Sequence, residues 1–271
     1  MRIFLSTIRK LIRRPATWVT FALMAGLLVL ILLAVAATRG VDQSGGGNGN
    51  GAAAAMLLLT FPGAYDLILS FILGLGGLFA VVYGAAIAGS EWSWGTLKST
   101  VARGESRALY MLSTFVAIAV ILAIGLLVTF LIGVLVGALG ATIAGISLDG
   151  LSDAAALGAL PEKFLRGWVV ISAEASIGFA VATLARSQLA GIGVGIALYF
   201  GETFATIFLP DIVKYLPFHL ANAAVPGGGD FSGAPEPGAM SADVALVLIS
   251  IWLAGSLIVA AAFTDRAEIT G

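Results

Sequence analysis

The stretch EWSWGTLKSTVARGESR, Glu91–Arg107, lies between two long apolar runs and carries three basic residues, Lys98, Arg103 and Arg107. It is too short for a domain and about the size of one surface helix. Around it the chain is oil-like: 59% of its 271 residues are hydrophobic, only 11% are charged, and mean hydropathy is +1.05. Soluble domains average about 25% charged residues, which excludes an ordinary globular protein. Several uncharged runs exceed the ~20 residues a helix needs to cross a hydrocarbon core. The expected fold is an all-α, polytopic membrane protein forming a single domain over residues 1–271.

Working outward from Glu91–Arg107, six spans can be read. They are Ala16–Ala37, Pro62–Ala88, Ala108–Leu139 or beyond, Phe164–Ala185, Gln188–Leu209 and Ala242–Thr264. The third is over-long, since no charge appears between Arg107 and Asp149. Its glycine-rich tail, Gly137–Gly145, is expected to leave the bilayer or fold back at its surface. The run after Arg14 exceeds the ~7–15 residues of a secretory h-region, so the first segment is expected to be a retained span.

An even number of spans puts both termini on one side. With the N-terminus inside, the inner cations are Arg2, Arg9, Lys10, Arg13, Arg14, Lys98, Arg103, Arg107, Arg186 and Arg266; the outer ones are Arg39, Lys163, Arg166 and Lys214. That asymmetry follows the positive-inside bias and predicts a multi-pass protein of the cell (cytoplasmic) membrane with both termini cytoplasmic. A net charge of −1 gives no basic field for nucleic acid. The outer segment Ser44–Gly51 reads as a flexible linker. The outer loop 210–241 has room for a short re-entrant or surface helix near Ile212–Ala224.

Residues 1–15 read as an interfacial amphipathic helix. Phe4, Ile8, Leu11 and Ile12 share one face and Arg2, Arg9, Lys10, Arg13 and Arg14 dominate the rest, a pattern drawn to anionic lipid. Pro15 cannot donate inside a helix, so it closes this element and opens the first span. In the segment 89–107, Trp92 and Trp94 mark the membrane interface. Beyond Gly95, Leu97 and Val101 give an apolar edge at helical spacing, and Gly104 breaks the helix. A solvated connector is the plain alternative, although Arg186-Ser187 shows how short a connector can be.

The run E-x-x-x-G-T-L-K followed by R-G-x-S-R, with Glu91, Gly95, Thr96, Leu97, Lys98, Arg103, Gly104, Ser106 and Arg107, resembles the motif of type-2 ABC transporter permeases. So do the R-R-P-x-T-W opening (Arg13, Arg14, Pro15, Thr17, Trp18) and the six-span layout. The resemblance implies that the segment between spans two and three is a coupling helix docking on a separate ABC ATPase (nucleotide-binding) subunit. ATP-driven closure of that partner would switch a dimer, made with a second permease copy or a homologous permease, between inward- and outward-facing states. The implied function is the membrane subunit of an exporter. The implied coupling residues are Glu91, Gly95, Thr96, Leu97, Lys98, Arg103, Gly104 and Arg107, with Glu91 ordering the helix at the membrane boundary. The chain carries no G-x-x-x-x-G-K-[ST], so ATP and Mg would sit on the partner and no cofactor on this chain.

Intramembrane carboxylates are costly and commonly functional. Glu174 falls well inside span four, Glu202 near the outer end of span five and Asp66 near the outer end of span two. Glu174 reads as a pathway or proton-linked group or as a packing residue; Asp66 and Glu202 read as wet. Glycine pairs Gly133/Gly137 and Gly191/Gly195 permit close helix approach within or between subunits. The resemblance places spans two and five around a central cavity. Phe71, Phe79, Tyr83, Phe200 and Phe204 are then candidate walls of a substrate pathway, with Glu174 and Glu202. The alternative function is an ATPase-independent secondary transporter or channel. An intramembrane enzyme is rejected: the only histidine, His219, lies in the outer loop and there is no cysteine, which leaves no zinc or Cys/His chemistry.

Overall fold

The computed structural model describes residues 2–37, 59–96, 104, 106–226 and 240–267. Within them the chain is helical. The elements are α1 (Arg2–Ile12), α2 (Pro15–Ala37), α3 (Gly63–Ser93), α4 (Arg107–Ala144), a 3-10 turn (Asp149–Ser152), α5 (Ala154–Ala185), α6 (Gln188–Phe208), α7 (Pro210–Val213), α8 (Pro217–Ala224) and α9 (Ala242–Arg266). Six of them, α2, α3, α4, α5, α6 and α9, are long and apolar enough to cross a membrane. The protein is a multi-pass membrane protein.

The bundle is organised around α5. Its most apolar window is 72% buried, against 17% for α6 and for α9. Helices α3, α9 and α6 pack directly on it. The α3–α5 contact is the most extensive, and small residues make it possible. A β-carbon on Gly84 would lie 2.1 Å from the Ala175 carbonyl oxygen, and one on Gly178 would lie 2.1 Å from the Val81 carbonyl oxygen. The two backbones therefore touch, as small residues allow in membrane helices. The expected glycine pairs serve the same end within the chain. Gly191 abuts Ala182 of α5, Gly195 abuts Val81 of α3, and Gly133 abuts Leu28 of α2 and Ile68 of α3.

Three expectations are corrected. Helix α4 runs unbroken for 38 residues to Ala144, about 57 Å at 1.5 Å per residue, so the tail Gly137–Gly145 does not fold back, and a helix of that length outruns the hydrocarbon core. Its glycines do not break it because they are packing sites: Gly133, Gly137 and Gly140 receive Ile68, Phe61 and Leu59. The helix stops at Ala144, and Gly145, the last residue of that tail, adopts φ 65° and returns its N–H to the last turn. Helix α5 begins at Ala154 and not near Phe164, because the Asp153 side chain accepts the Ala156 N–H at 2.7 Å and caps it. The helix expected near Ile212–Ala224 is two short helices, α7 and α8, parted at Lys214–Leu216.

The ends of the bundle are tied differently. At one end Asp66 of α3 pairs with Lys163 of α5, Arg166 of α5 pairs with Asp243 of α9 at 2.5 Å, and α8 is buried against α9, α5 and α3. Asp66 is thus half-buried in an ion pair and not simply wet. The other end holds Glu91. Because Gly84 and Gly178 meet carbonyl oxygens and no flexible side chain, Gly84→Ala or Gly178→Ala should cost at least the ~1–3 kcal/mol of an overpacked core. Gly201→Ala and Gly255→Ala, which open into free space, should be neutral or slightly stabilising. Thermal unfolding midpoints in mild detergent would show this; equal midpoints for all four would contradict the close crossing.

Candidate functional site

Glu91 occupies the last turn of α3, and its side chain is 1% exposed. An ionised carboxylate in such a place needs counter-charge and donors to replace its hydration. It has both. Lys10 Nζ donates to its two oxygens at 2.6 and 2.7 Å, and Arg14 Nη2 donates to Oε1 at 2.9 Å. Tyr110 Oη and Thr96 Oγ1 donate to Oε2 at 2.7 and 2.5 Å. Arg14 Nη1 also reaches Ser90 Oγ at 2.6 Å.

These groups come from separate stretches of chain, and local sequence explains each placement. Lys10 sits in the last turn of α1, and Arg14 sits in the tight turn between α1 and α2, where its N–H returns to the Leu11 carbonyl at 3.1 Å; the turn brings both cations to the same neighbour. The apolar face of α1 sits on the bundle: Leu11 is fully buried and Phe4 and Ile8 pack on the core, whereas Ile12 is exposed. Arg9 and Arg13 point away to the surface. Arg14 is itself buried and stacks its guanidinium 4.8 Å from the centre of the Trp94 ring. Burial pulls the Lys10 ammonium below the ordinary lysine range, against the opposing hydrogen bond and charge of Glu91.

The same end gathers the other helix termini. Arg186, in a left-handed turn at φ 51°, places its guanidinium 5.2 Å from the Trp92 ring and 5.5 Å from Phe263. Arg107 donates to the Ala267 carbonyl at 2.6 Å, and Asp265 accepts the Ala108 N–H at 3.1 Å. Gly95 and Gly104 have φ of 65° and 81°, the left-handed region that favours glycine.

Of the residues expected to act in coupling, Glu91 and Thr96 meet directly. Gly95 and Gly104 take left-handed turns on either side of the segment between them, and Arg107 reaches α9. Leu97, Lys98 and Arg103 lie outside the described residues. Sequence reasoning missed Lys10, Arg14 and Tyr110 as partners of Glu91, and Ser90 as a partner of Arg14. A signal existed for two of them, since a lone acid at one helix end could be matched by the basic run Arg9–Arg14 that closes α1 and leads into α2.

The expected pathway residues do not gather into one cavity. Tyr83 is 1% exposed and shares a 2.9 Å hydrogen bond with Thr17 of α2. Phe71 and Phe79 are half-buried against the core, and Phe79 borders a small apolar cavity of about 20 Å³ with Phe21, Met24, Ile72 and Leu122. Phe200 and Phe204 lie exposed on α6. Glu202 is buried, a correction to its reading as wet. It accepts the Phe218 and His219 N–H groups at 3.0 and 3.1 Å, a carboxylate cap on the start of α8. Glu174 is buried in α5 near Gly77.

Removing Glu91 strands a buried guanidinium, so Glu91→Ala should cost about 3–5 kcal/mol of stability. Arg14→Ala should cost nearly as much. Lys10→Ala should cost clearly less, because its side chain is 30% exposed. Unfolding of the purified variants measures the order, and limited proteolysis should show α1 released first in the two severe cases.

A family model described as a protein of unknown function (DUF2705) matches residues 54–266, a range that includes Glu91, Thr96 and Tyr110. The uncharacterized protein YhcI of Bacillus subtilis (strain 168) is 28% identical over 190 residues, which cover 66% of this chain and 59% of the relative. The match thus spans less than two thirds of that relative's length. The chain belongs to the DUF2705 family.

Proposed function

We propose that this chain is the transmembrane permease subunit of an ABC exporter, which couples ATP hydrolysis on a separate nucleotide-binding subunit to substrate translocation by alternating access. The observation that carries the reading is the Glu91 cluster. One buried carboxylate holds α1, the start of α2, the end of α3, Thr96 and α4 together. The segment that follows Thr96 is rooted in it. A push delivered to Leu97, Lys98 or Arg103 by a partner would be transmitted through Thr96 and Glu91 to three helices at once, which a loosely tethered connector could not do.

The remaining parts of the reading follow from it. The Glu91 end faces the cytoplasm of a cell membrane, since it collects most of the basic residues, and both termini lie on that side. Helix α1 lies at the membrane interface, where exposed Arg9 and Arg13 meet anionic lipid. ATP and Mg bind the partner ATPase. The exposed face of α6, with Phe200 and Phe204, meets a second permease copy or a homologous permease, and Phe71, Phe79, Glu174 and Glu202 border the pathway on that side. An ATPase-independent secondary transporter or channel is the second reading, favoured by the Glu174 carboxylate oxygen that has no partner among the described residues.

Affinity purification of the tagged protein in mild detergent, with mass spectrometry of co-purifying chains, tests the first reading. A stoichiometric soluble ATPase bearing a phosphate-binding loop is expected, and Leu97→Asp and Lys98→Glu should release it. Thr96→Val and Tyr110→Phe each remove one hydrogen bond to a charged group, worth ~1.5–3 kcal/mol, and leave the Arg14–Glu91 pair intact. Both should lower transport per ATP hydrolysed without loss of membrane insertion. Solute movement by the purified chain in liposomes with no ATPase present would overturn the reading.

A further inference from the structure

Glu174 stands about two thirds of the way along α5 with 1% of its surface exposed. Its carboxyl group rests on Gly77 of α3: a β-carbon there would lie 2.5 Å from Oε1 and 2.6 Å from Oε2. Only glycine leaves that seat open. Oε2 is buried with no hydrogen-bond partner among the described residues. Glu174 and Glu91 are therefore opposite cases. Glu91 has two cations and two hydroxyl donors, and Glu174 has a bare glycine surface.

Among the described residues, no cation on the packed helices faces this seat from mid-span, and the one ionisable side chain of α8, which packs on α5 and α3, is His219 near that helix's start. On α3 the ionisable residues are Asp66 and Glu91 near the two ends, with Tyr65 and Tyr83. On α4 they are Arg107 and Tyr110 in the first turn. On α9 they are Asp243 at the start and Asp265 and Arg266 at the end. On α5 itself Glu162, Lys163 and Arg166 lie within its first half, Lys163 and Arg166 already engaged by Asp66 and Asp243. Helix α6 brings Tyr199, whose hydroxyl donates to the Gly74 carbonyl one turn from Gly77 at 3.0 Å. It also brings Glu202, whose carboxylate is taken up by the Phe218 and His219 amides of α8. Those neighbours offer no positive charge. A desolvated carboxylate without a counter-ion is avoided by neutralisation, and in a membrane interior such a group is costly unless it serves a purpose.

We infer that Glu174 is an intramembrane proton site: its carboxyl group binds one proton while seated on Gly77 and gives it up to water when α3 and α5 move apart. The step is a simple dissociation, with the O–H bond of the acid breaking and the proton passing to solvent. It rests on the packing of α3 on α5 and holds whether the protein works with an ATPase or alone. It makes any cycle that opens the α3–α5 crossing sensitive to the pH on the side to which the seat opens.

Infrared spectroscopy of the wild type and Glu174→Gln, each reconstituted in phosphatidylcholine vesicles at neutral pH in H2O and in D2O, tests this. Gln keeps the volume of Glu and fits the seat without ionising. The wild type should show the carbonyl stretch of a protonated carboxylic acid, displaced in D2O and lost in Glu174→Gln. The same spectrum in both proteins, or only ionised carboxylate absorption in the wild type, overturns the proton site. A band that fails to shift in D2O overturns its exchange with water. Peptide mapping of the wild type after treatment with dicyclohexylcarbodiimide needs no variant. This apolar reagent attacks protonated carboxyl groups, so modification at Glu174 is expected; its absence together with an absent acid band also overturns the proposal.

Discussion

Taking an ion out of water costs several kcal/mol even after relaxation, and a protein recovers this only through opposite charge and well-aimed donors. Glu91 imposes that cost at one end of this bundle, and five other side chains are arranged around the consequence. Lys10 and Arg14 supply the charge, Tyr110 and Thr96 supply hydroxyls, and Ser90 occupies the remaining arm of Arg14. Since these groups sit on separate elements, satisfying one carboxylate fixes where α1 lies, how α2 enters the bundle and where α4 begins. Apolar packing alone would leave those helices freer to slide, because lipid tails are as apolar as leucine.

Three buried carboxylates in one chain show how neighbours decide what an acid does. Glu91 is matched by cations and acts as a clasp. Glu202 is met by two backbone amides and caps a short helix, with no counter-charge beyond the helix's own partial positive end. Glu174 faces a glycine and has an oxygen with no partner among the described residues. The α3–α5 crossing is the reason for the last case. Helices brought into backbone contact at Gly84 and Gly178 leave room beside Gly77 for a carboxyl group.

Much of the architecture was legible in the residues. The starts of α2 at Pro15, α6 at Gln188 and α9 at Ala242 coincide with a proline, a charged turn and a serine cap, all local signals. Reading failed where a local signal was overruled by packing. The glycines of α4 look like helix breakers, yet each receives a bulky neighbour from α2, α3 or the loop between them, and that burial exceeds the modest propensity cost of glycine in a helix. The early start of α5 turned on a single cap at Asp153, whose side chain could have served equally well in a solvated loop.

From its sequence alone this protein is an all-helical, six-span membrane protein with an amphipathic N-terminal helix and one conspicuous polar segment, because hydrocarbon thickness and helical rise leave few other solutions for runs of that length. Sequence also marked Glu91, Glu174 and Glu202 as expensive residues. Which of them is paired, which caps a helix and which stands alone was decided only in three dimensions. Lys10 and Glu91 are 81 positions apart, and Glu174 meets Gly77 from another helix. Periodicity along a chain reports which face of a helix is buried, and it carries no record of which residue waits on the other side.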